Sequence, residues 1–189
     1  MTGDEPALDE ATRPHAPRHD DEAGTTAGRA SARMLVAVHA HLRSELEQIR
    51  DVVAEVAVGQ SNAALARSLI NQMSMRQNYW SLGAFCATYC RLLTMHHALE
   101  DSNLFVDLRS RDESLGPVIE RLSEEHEVVA AVITRLDDAL VAMIAMVENP
   151  EKLTAVQSEV ERLAEVLLSH LDYEEAELLG PIARLGIGS

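Results

Sequence analysis

The sequence predicts an all-α fold, an up-down-up-down four-helix bundle, on three observations. Hydrophobic residues make up 47% of the 189 residues but aromatics only 3%, with Ala, Leu, Val, Glu and Arg dominating, a composition that favours helix over sheet. Apolar residues recur at spacings of three and four along four long segments. Short joins containing Gly, Pro or Asn separate those segments, which makes sequential helices antiparallel neighbours. The length suits one domain with a real core: a tail over residues 1–30 and the bundle over residues 31–189.

Residues 1–30 are rich in Pro, Gly, Thr, Asp, Glu and Ala, with almost nothing apolar beyond Met1 and Leu8. They read as a disordered acidic tail whose His15 and His19 are solvated. The first helix is expected from Ser31 to Val58, stopped by Gly59. Leu35, Val38, Leu42, Leu46, Ile49, Val53 and Val56 form its stripe, and His39 falls within it. His41 lies roughly 200° away from His39 at 100° per residue, so only one of the two faces inward, and His39 is the choice.

Residues 60–76 read as a crossover with one short extra helix capped by Ser61 or Asn62. A break is expected between Asn71 and Asn78, because one helix over 61–108 would outrun its partners. The second helix then covers Gln77 to Arg109, turning inward Leu82, Phe85 or Cys86, Tyr89, Leu93, His96, Glu100 and Leu104. Gly116-Pro117 opens the third helix, which reaches Val147. Its stripe is Ile119, Leu122, His126, Val129, Ile133, Leu136 and Leu140. The fourth helix follows Asn149-Pro150, from Glu151 to Leu179, with Gly180-Pro181 as its stop. Leu153, Val156, Val160, Leu163, Leu167, His170, Glu174 and Leu178 face inward on it.

Charge narrows the function classes. The net charge of −15 comes from 31 acidic against 16 basic side chains and repels phosphates, which excludes nucleic acid and anionic membranes as partners. No apolar run approaches the ~18 residues of a membrane span, and the polar N-terminus is not a signal peptide. Cys86 and Cys90 are one helical turn apart, with Cβ atoms about 5–6 Å from each other, whereas a disulfide needs roughly 3.5–4.5 Å. They read as free thiols, which places the chain in a reducing cytoplasm.

The inward stripes carry His39, His96, Glu100, His126, His170 and Glu174, drawn from all four helices. His96 with Glu100, and His170 with Glu174, stand four apart, so imidazole and carboxylate stack on one helix face. An ionised carboxylate or imidazole in an apolar core costs several kcal/mol unless paired or coordinated. A shared metal accounts for six of them together. Four imidazoles and two carboxylates are too many for one tetrahedral zinc, and no thiolate joins them. Two octahedral metals bridged by Glu100 and Glu174 fit, each with two histidines. Iron suits these donors first and manganese second. The cofactor expected is two iron ions with a bridging oxide or hydroxide.

The order His, His-x-x-x-Glu, His, His-x-x-x-Glu resembles the hemerythrin, or HHE cation-binding, domain. Leu104-Phe105, Glu125-His126, Asp172-Tyr173-Glu174-Glu175 and Leu178-Leu179 look like it as well. The resemblance covers about residues 31–182. Arg76-Gln77-Asn78-Tyr79-Trp80, Tyr89-Cys90 and His96-His97 look like actinobacterial, including mycobacterial, hemerythrin-like proteins. One departure stands out. Invertebrate hemerythrins use five histidines, two of them four apart on the third helix. Here the positions four from His126 are Leu122 and Ala130. Candidates for the missing ligand are Tyr89, Tyr173 and His97. For each tyrosine the alternative is a core ring bonded beyond the metal, and for His97 a supporting or exposed place. A phenolate would stabilise ferric iron, working against reversible O2 carriage and favouring peroxide or NO chemistry.

The resemblance implies a non-haem di-iron protein whose open iron position meets O2, H2O2 or NO. Its role would be oxidative or nitrosative defence, with catalase-like or NO-directed peroxidase activity at the di-iron centre and no catalytic residue apart from the metal site. The alternatives are a non-catalytic O2 or iron binding, storage or sensing protein, and an interaction module with structural metal and an acidic docking face.

Overall fold

The computed structural model describes residues 8–19, 24–66, 69–145 and 150–187, with the backbone alone for 59–81, 85 and 150. Helix α1 spans Thr26–Ala66 and α2 spans Leu69–Leu99. The chain continues through a π-helical turn at Glu100–Leu104 into α3, Phe105–Arg111. A 3-10 turn at Glu113–Leu115 leads into α4, Gly116–Ala145, and α5 spans Pro150–Leu185. With α2 and α3 as one strut, each strut packs on two neighbours: α1 on α2 and α5, and α4 on the same two. The up-down-up-down four-helix bundle is the predicted architecture, with no strand among the described residues. No helix there is long and apolar enough to cross a membrane.

The core falls into two apolar clusters. One holds Leu42, Leu46, Tyr89, Leu93, Val129 and Leu171; the other holds Leu35, Phe105, Leu122, Leu178 and Ile182. On every strut a polar step separates them: His39 on α1, Glu100 at the end of α2, His126 on α4 and Glu174 on α5. A polar slab therefore crosses the bundle between two greasy halves.

Several helix ends differ from their predicted places. Gly59 does not stop α1, which runs on to Ala66, and 69–76 already belong to α2. Among the described residues there is no separate short helix and no break between Asn71 and Asn78; residues 67–68 lie outside them. One interior Gly costs only about 1 kcal/mol and is outvoted by good helix formers on either side. The side chains of Arg76 to Trp80, of the two capping candidates and of Phe85 lie outside the described residues; Cys86 is fully buried. Cys86 and Cys90 are buried free thiols.

The π turn shifts the second strut's register. Glu100 is followed inward not by Leu104 but by the fully buried Phe105, because an i→i+5 turn adds one residue before the stripe resumes. At the far end α5 runs through Gly180-Pro181 to Leu185. Pro181 removes one N–H donor at a cost of about 3 kcal/mol. Burial of Ile182 and Ile187, the Arg184–Asp112 ion pair and the Arg111 bond to the Leu185 carbonyl offset it. Gly186, at φ 67, then ends the helix in the left-handed conformation.

Residues 8–19 differ from the tail expected of them. Leu8 and Ala16 pack on the two core clusters, and the Ala16 N–H donates to Glu177 Oε2 at 2.7 Å. His15 is open to solvent yet bonds Glu177 through Nδ1 at 2.8 Å. Composition sees too few apolar residues to fold this stretch alone; it does not see the ready-made surface on which it docks.

The start of α1 lies tight against the end of α5. Thr25 N–H donates to the Ala183 carbonyl at 2.9 Å, and a Cβ on Gly24 would stand 2.8 Å from that oxygen. Gly28 leaves even less room against the Ile182 and Ala183 carbonyls. Gly28→Ala is expected to cost about 1–3 kcal/mol by forcing the backbones apart. Gly180→Ala meets nothing within 4 Å and should be neutral or slightly stabilising. Thermal melts of the two variants check this: equal melting temperatures would contradict the packing.

Candidate metal centre

The polar slab converges on one point. His39, His170 and Glu174 are fully buried, and Glu100, His126 and His97 nearly so. His39 Nε2 lies 3.3 Å from Glu174 Oε2 and 3.9 Å from Glu100 Oε1. His96 Nε2 is 3.2 Å from Glu100 Oε1, and His126 Nε2 is 3.6 Å from Glu100 Oε2. His170 Nε2 is 3.9 Å from Glu174 Oε2. His41, the other imidazole near the first stripe, is exposed.

Of the three candidates for the additional ligand, His97 is the one that joins the slab. Its ring stacks on His126 at 4.0 Å between centroids and lies 5.3 Å from His170. His96 faces the other way, 5.1 Å from His39. Neighbouring residues on a helix point about 100° apart. A strut wedged between α1 and α4 can therefore aim His96 at one and His97 at the other. The donors form two groups, His39, His96, Glu100 and Glu174 in one and His97, His126 and His170 in the other, with ligand atoms within 4.8 Å of one another in each. The even division of two histidines per group gives way to two and three. Each carboxylate lies within 4 Å of histidines of both groups.

The tyrosines go elsewhere. Tyr89 donates its hydroxyl to the Leu42 carbonyl at 3.2 Å. Tyr173 donates to the Pro14 carbonyl at 2.7 Å, under the Arg13 guanidinium.

An outer ring of carboxylates fixes the imidazoles. His39 Nδ1 donates to Glu175 at 2.9 Å, and Arg43 holds Glu175 in turn at 2.6 Å. His126 Nδ1 donates to Asp101 at 3.1 Å, which also accepts from Ser123. His170 Nδ1 donates to Glu125 at 3.2 Å, and Arg13 grips both Glu125 oxygens at 2.7 and 3.0 Å. A proton placed on Nδ1 leaves the Nε2 lone pair facing inward. Nε2 of all five histidines, and both oxygens of Glu100 and Glu174, have no hydrogen-bond partner. Periodicity gives no role to Glu125, one residue off the third stripe, or to Arg13, which lies in a stretch without periodicity.

The electrostatics suit a cation. Burial opposes protonation of His39, but Glu100, Glu174 and Glu175 outweigh it and hold its pKa up at about 9. Burial pushes His96 down to about 4 and His97 further. It also raises the Glu100 carboxyl to about 8, His39 opposing. The surrounding imidazoles overcome burial at Glu174 and lower its pKa. Without a metal the slab holds a proton where its carboxylates meet; a metal ion supplies the positive charge instead. Five imidazoles and two carboxylates without a thiolate fit two octahedral ions of the iron or manganese kind.

Arg13 carries a direct expectation. Arg13→Ala frees Glu125 and with it the orientation of His170, so metal affinity of the three-histidine group should fall roughly 10- to 100-fold. Arg13→Lys should recover only part, since an ammonium cannot make the two-pronged bond. Chelator competition on both variants measures it.

A family model described as the hemerythrin HHE cation binding domain matches residues 30–182. No curated protein and no solved structure matches the chain.

Proposed function

Since the chain belongs to the hemerythrin HHE cation-binding domain family, we propose that its seven inward donors hold two iron ions with a bridging oxide or hydroxide. His97, His126 and His170 serve one ion, His39 and His96 the other, and Glu100 and Glu174 reach both. The supporting observation is the set of unpartnered buried donor atoms, each imidazole in the slab presenting Nε2. The group of His39 and His96 offers one imidazole fewer than that of His97, His126 and His170, so an ion held there would have room for an exogenous molecule. Two irons so held supply a pair of redox-active Lewis acids.

The protein's own residues prepare that position. Glu175, Asp101 and Glu125 orient His39, His126 and His170, and apolar clusters flank the slab on either side. The small molecules proposed are O2, H2O2 and NO, with stress defence as the role and the reducing cytoplasm as the place. A second reading, reversible O2 binding or sensing without turnover, gains from the tyrosine geometry. With the hydroxyls of Tyr89 and Tyr173 bonded to backbone carbonyls, neither of these phenols is placed to lock the ions in the ferric state.

Iron analysis with an optical spectrum and a peroxide assay tests both. About two irons per chain are expected, with near-ultraviolet charge-transfer bands and no broad visible tyrosinate band. Gas evolution from added peroxide supports defence; stable O2 binding without peroxide turnover supports the carrier. Protein that takes up no metal contradicts both readings.

A further inference from the structure

A groove of about 700 Å3 opens beside the two-histidine group. It runs between the first half of α1, the π turn with α3, and the end of α5. His96 and Glu100 form its floor, and Leu35, Val38, Leu104 and Ile182 are among its walls. Its rim carries Met34, Leu99 and Val106, which are 66%, 55% and 59% exposed. Water occupies roughly 30 Å3 of liquid, and pockets for organic ligands span about 300–1,000 Å3. A diatomic molecule needs only a small part of this space.

The charge of the lining says what the groove admits. Apart from the floor, the one ionisable residue on it is Asp107, already paired with Arg111 at 2.8 Å. An organic anion would meet Asp107 on the wall and a chain of net charge −15, with no lysine or arginine on the lining to receive it. An organic cation would give up hydration against apolar walls. The floor itself is polar: Glu100 is 4% exposed, and neither of its oxygens has a hydrogen-bond partner.

We propose that this groove binds uncharged organic hydroperoxides, the apolar body lying along Leu35, Val38, Leu104 and Ile182 and the hydroperoxyl end directed at the His96–Glu100 floor. The assignment rests on the reading of that floor as part of an iron site that meets peroxides. It differs from it in giving the molecule a body of about ten non-hydrogen atoms, as a pocket of this size accommodates.

The experiment uses the full-length protein as purified and 2-phenyl-2-propanol, the inert alcohol analogue of cumene hydroperoxide. Calorimetric titration should show saturable one-to-one binding, and phenylacetate, of similar size but anionic, should bind at least tenfold more weakly. Met34→Glu and Val106→Glu, surface substitutions on the rim, should each weaken the alcohol at least fivefold while iron content stays at the wild-type value. Absence of saturable alcohol binding, equal binding of phenylacetate, or indifference to both substitutions overturns the groove assignment. Iron content and hydrogen peroxide turnover on the same sample report separately on the metal reading. Alcohol binding to a chain that never takes up iron would remove the hydroperoxide assignment along with that reading.

Discussion

Glu174→Ala is expected to strip the protein of both metal ions, whereas His97→Ala is expected to remove one. Glu174 is fully buried and lies 3.3 Å from His39 and 3.9 Å from His170, so its loss withdraws a donor from each group. His97 belongs to the three-histidine group alone. Iron per chain, measured on protein loaded under identical conditions, should fall from about two to near zero in the first variant and to about one in the second. In the metal-free state Glu174 still contributes, because the surrounding imidazoles hold its pKa below the ordinary value; replacing the anion by a neutral amide in Glu174→Gln should therefore lower the melting temperature of the metal-free protein. Equal iron content in Glu174→Ala and His97→Ala would contradict the assignment of Glu174 to both groups.

Metal removal itself should lower the melting temperature by roughly 10 °C. A ligand present at 1,000 times its dissociation constant adds about 4 kcal/mol, and each kcal/mol moves a domain of this size by about 2–4 °C. The loss should depend on pH in a defined direction. His96 takes a proton near 6.5 when unfolded and only near 4 when folded. Acidification through that window therefore favours the unfolded metal-free chain, and His97 acts the same way. On the alkaline side the sign is opposite. Glu100, at about 8 against 4.5, and His39, at about 9 against 6.5, hold their protons more tightly folded. Their contribution is present below the unfolded values and is lost as pH rises through 8 and 9. Metal-free protein should thus be most stable near about pH 6.5. In the loaded protein metal has displaced those protons, so the alkaline decline disappears and the gap between loaded and metal-free melting temperatures widens with pH. Melts of both forms from pH 5 to 9 check it; a gap that narrows as pH rises would contradict it.

The sequence made the slab legible because each of its helical residues interrupts an otherwise apolar stripe. His39, His126, His170 and Glu174 each fall where a Leu or Val belongs, and burial bears out that placement. His97 is different. It is adjacent to His96, and one-dimensional periodicity allows only one of two neighbours on a stripe. That both point inward follows from α2 lying between two helices. The π turn was equally invisible, since Glu-Asp-Ser-Asn-Leu has no residue that breaks a helix; its effect, Phe105 in place of Leu104, is a register change imposed by tertiary packing. Stop signals at Gly59 and Gly180-Pro181 failed for a related reason. Local cost of about 1–3 kcal/mol is outweighed when the continuing helix has a surface to bury against. The segment around Arg13 has no apolar pattern; its place is set by an ion pair with Glu125 more than a hundred residues away.

Anomalous diffraction at the iron edge from crystals of loaded protein tests the central claim most directly. Two peaks should appear in the slab, one against Nε2 of His39 and His96, the other against Nε2 of His97, His126 and His170. One peak alone, or none with the imidazoles swung away from Glu100 and Glu174, would contradict it.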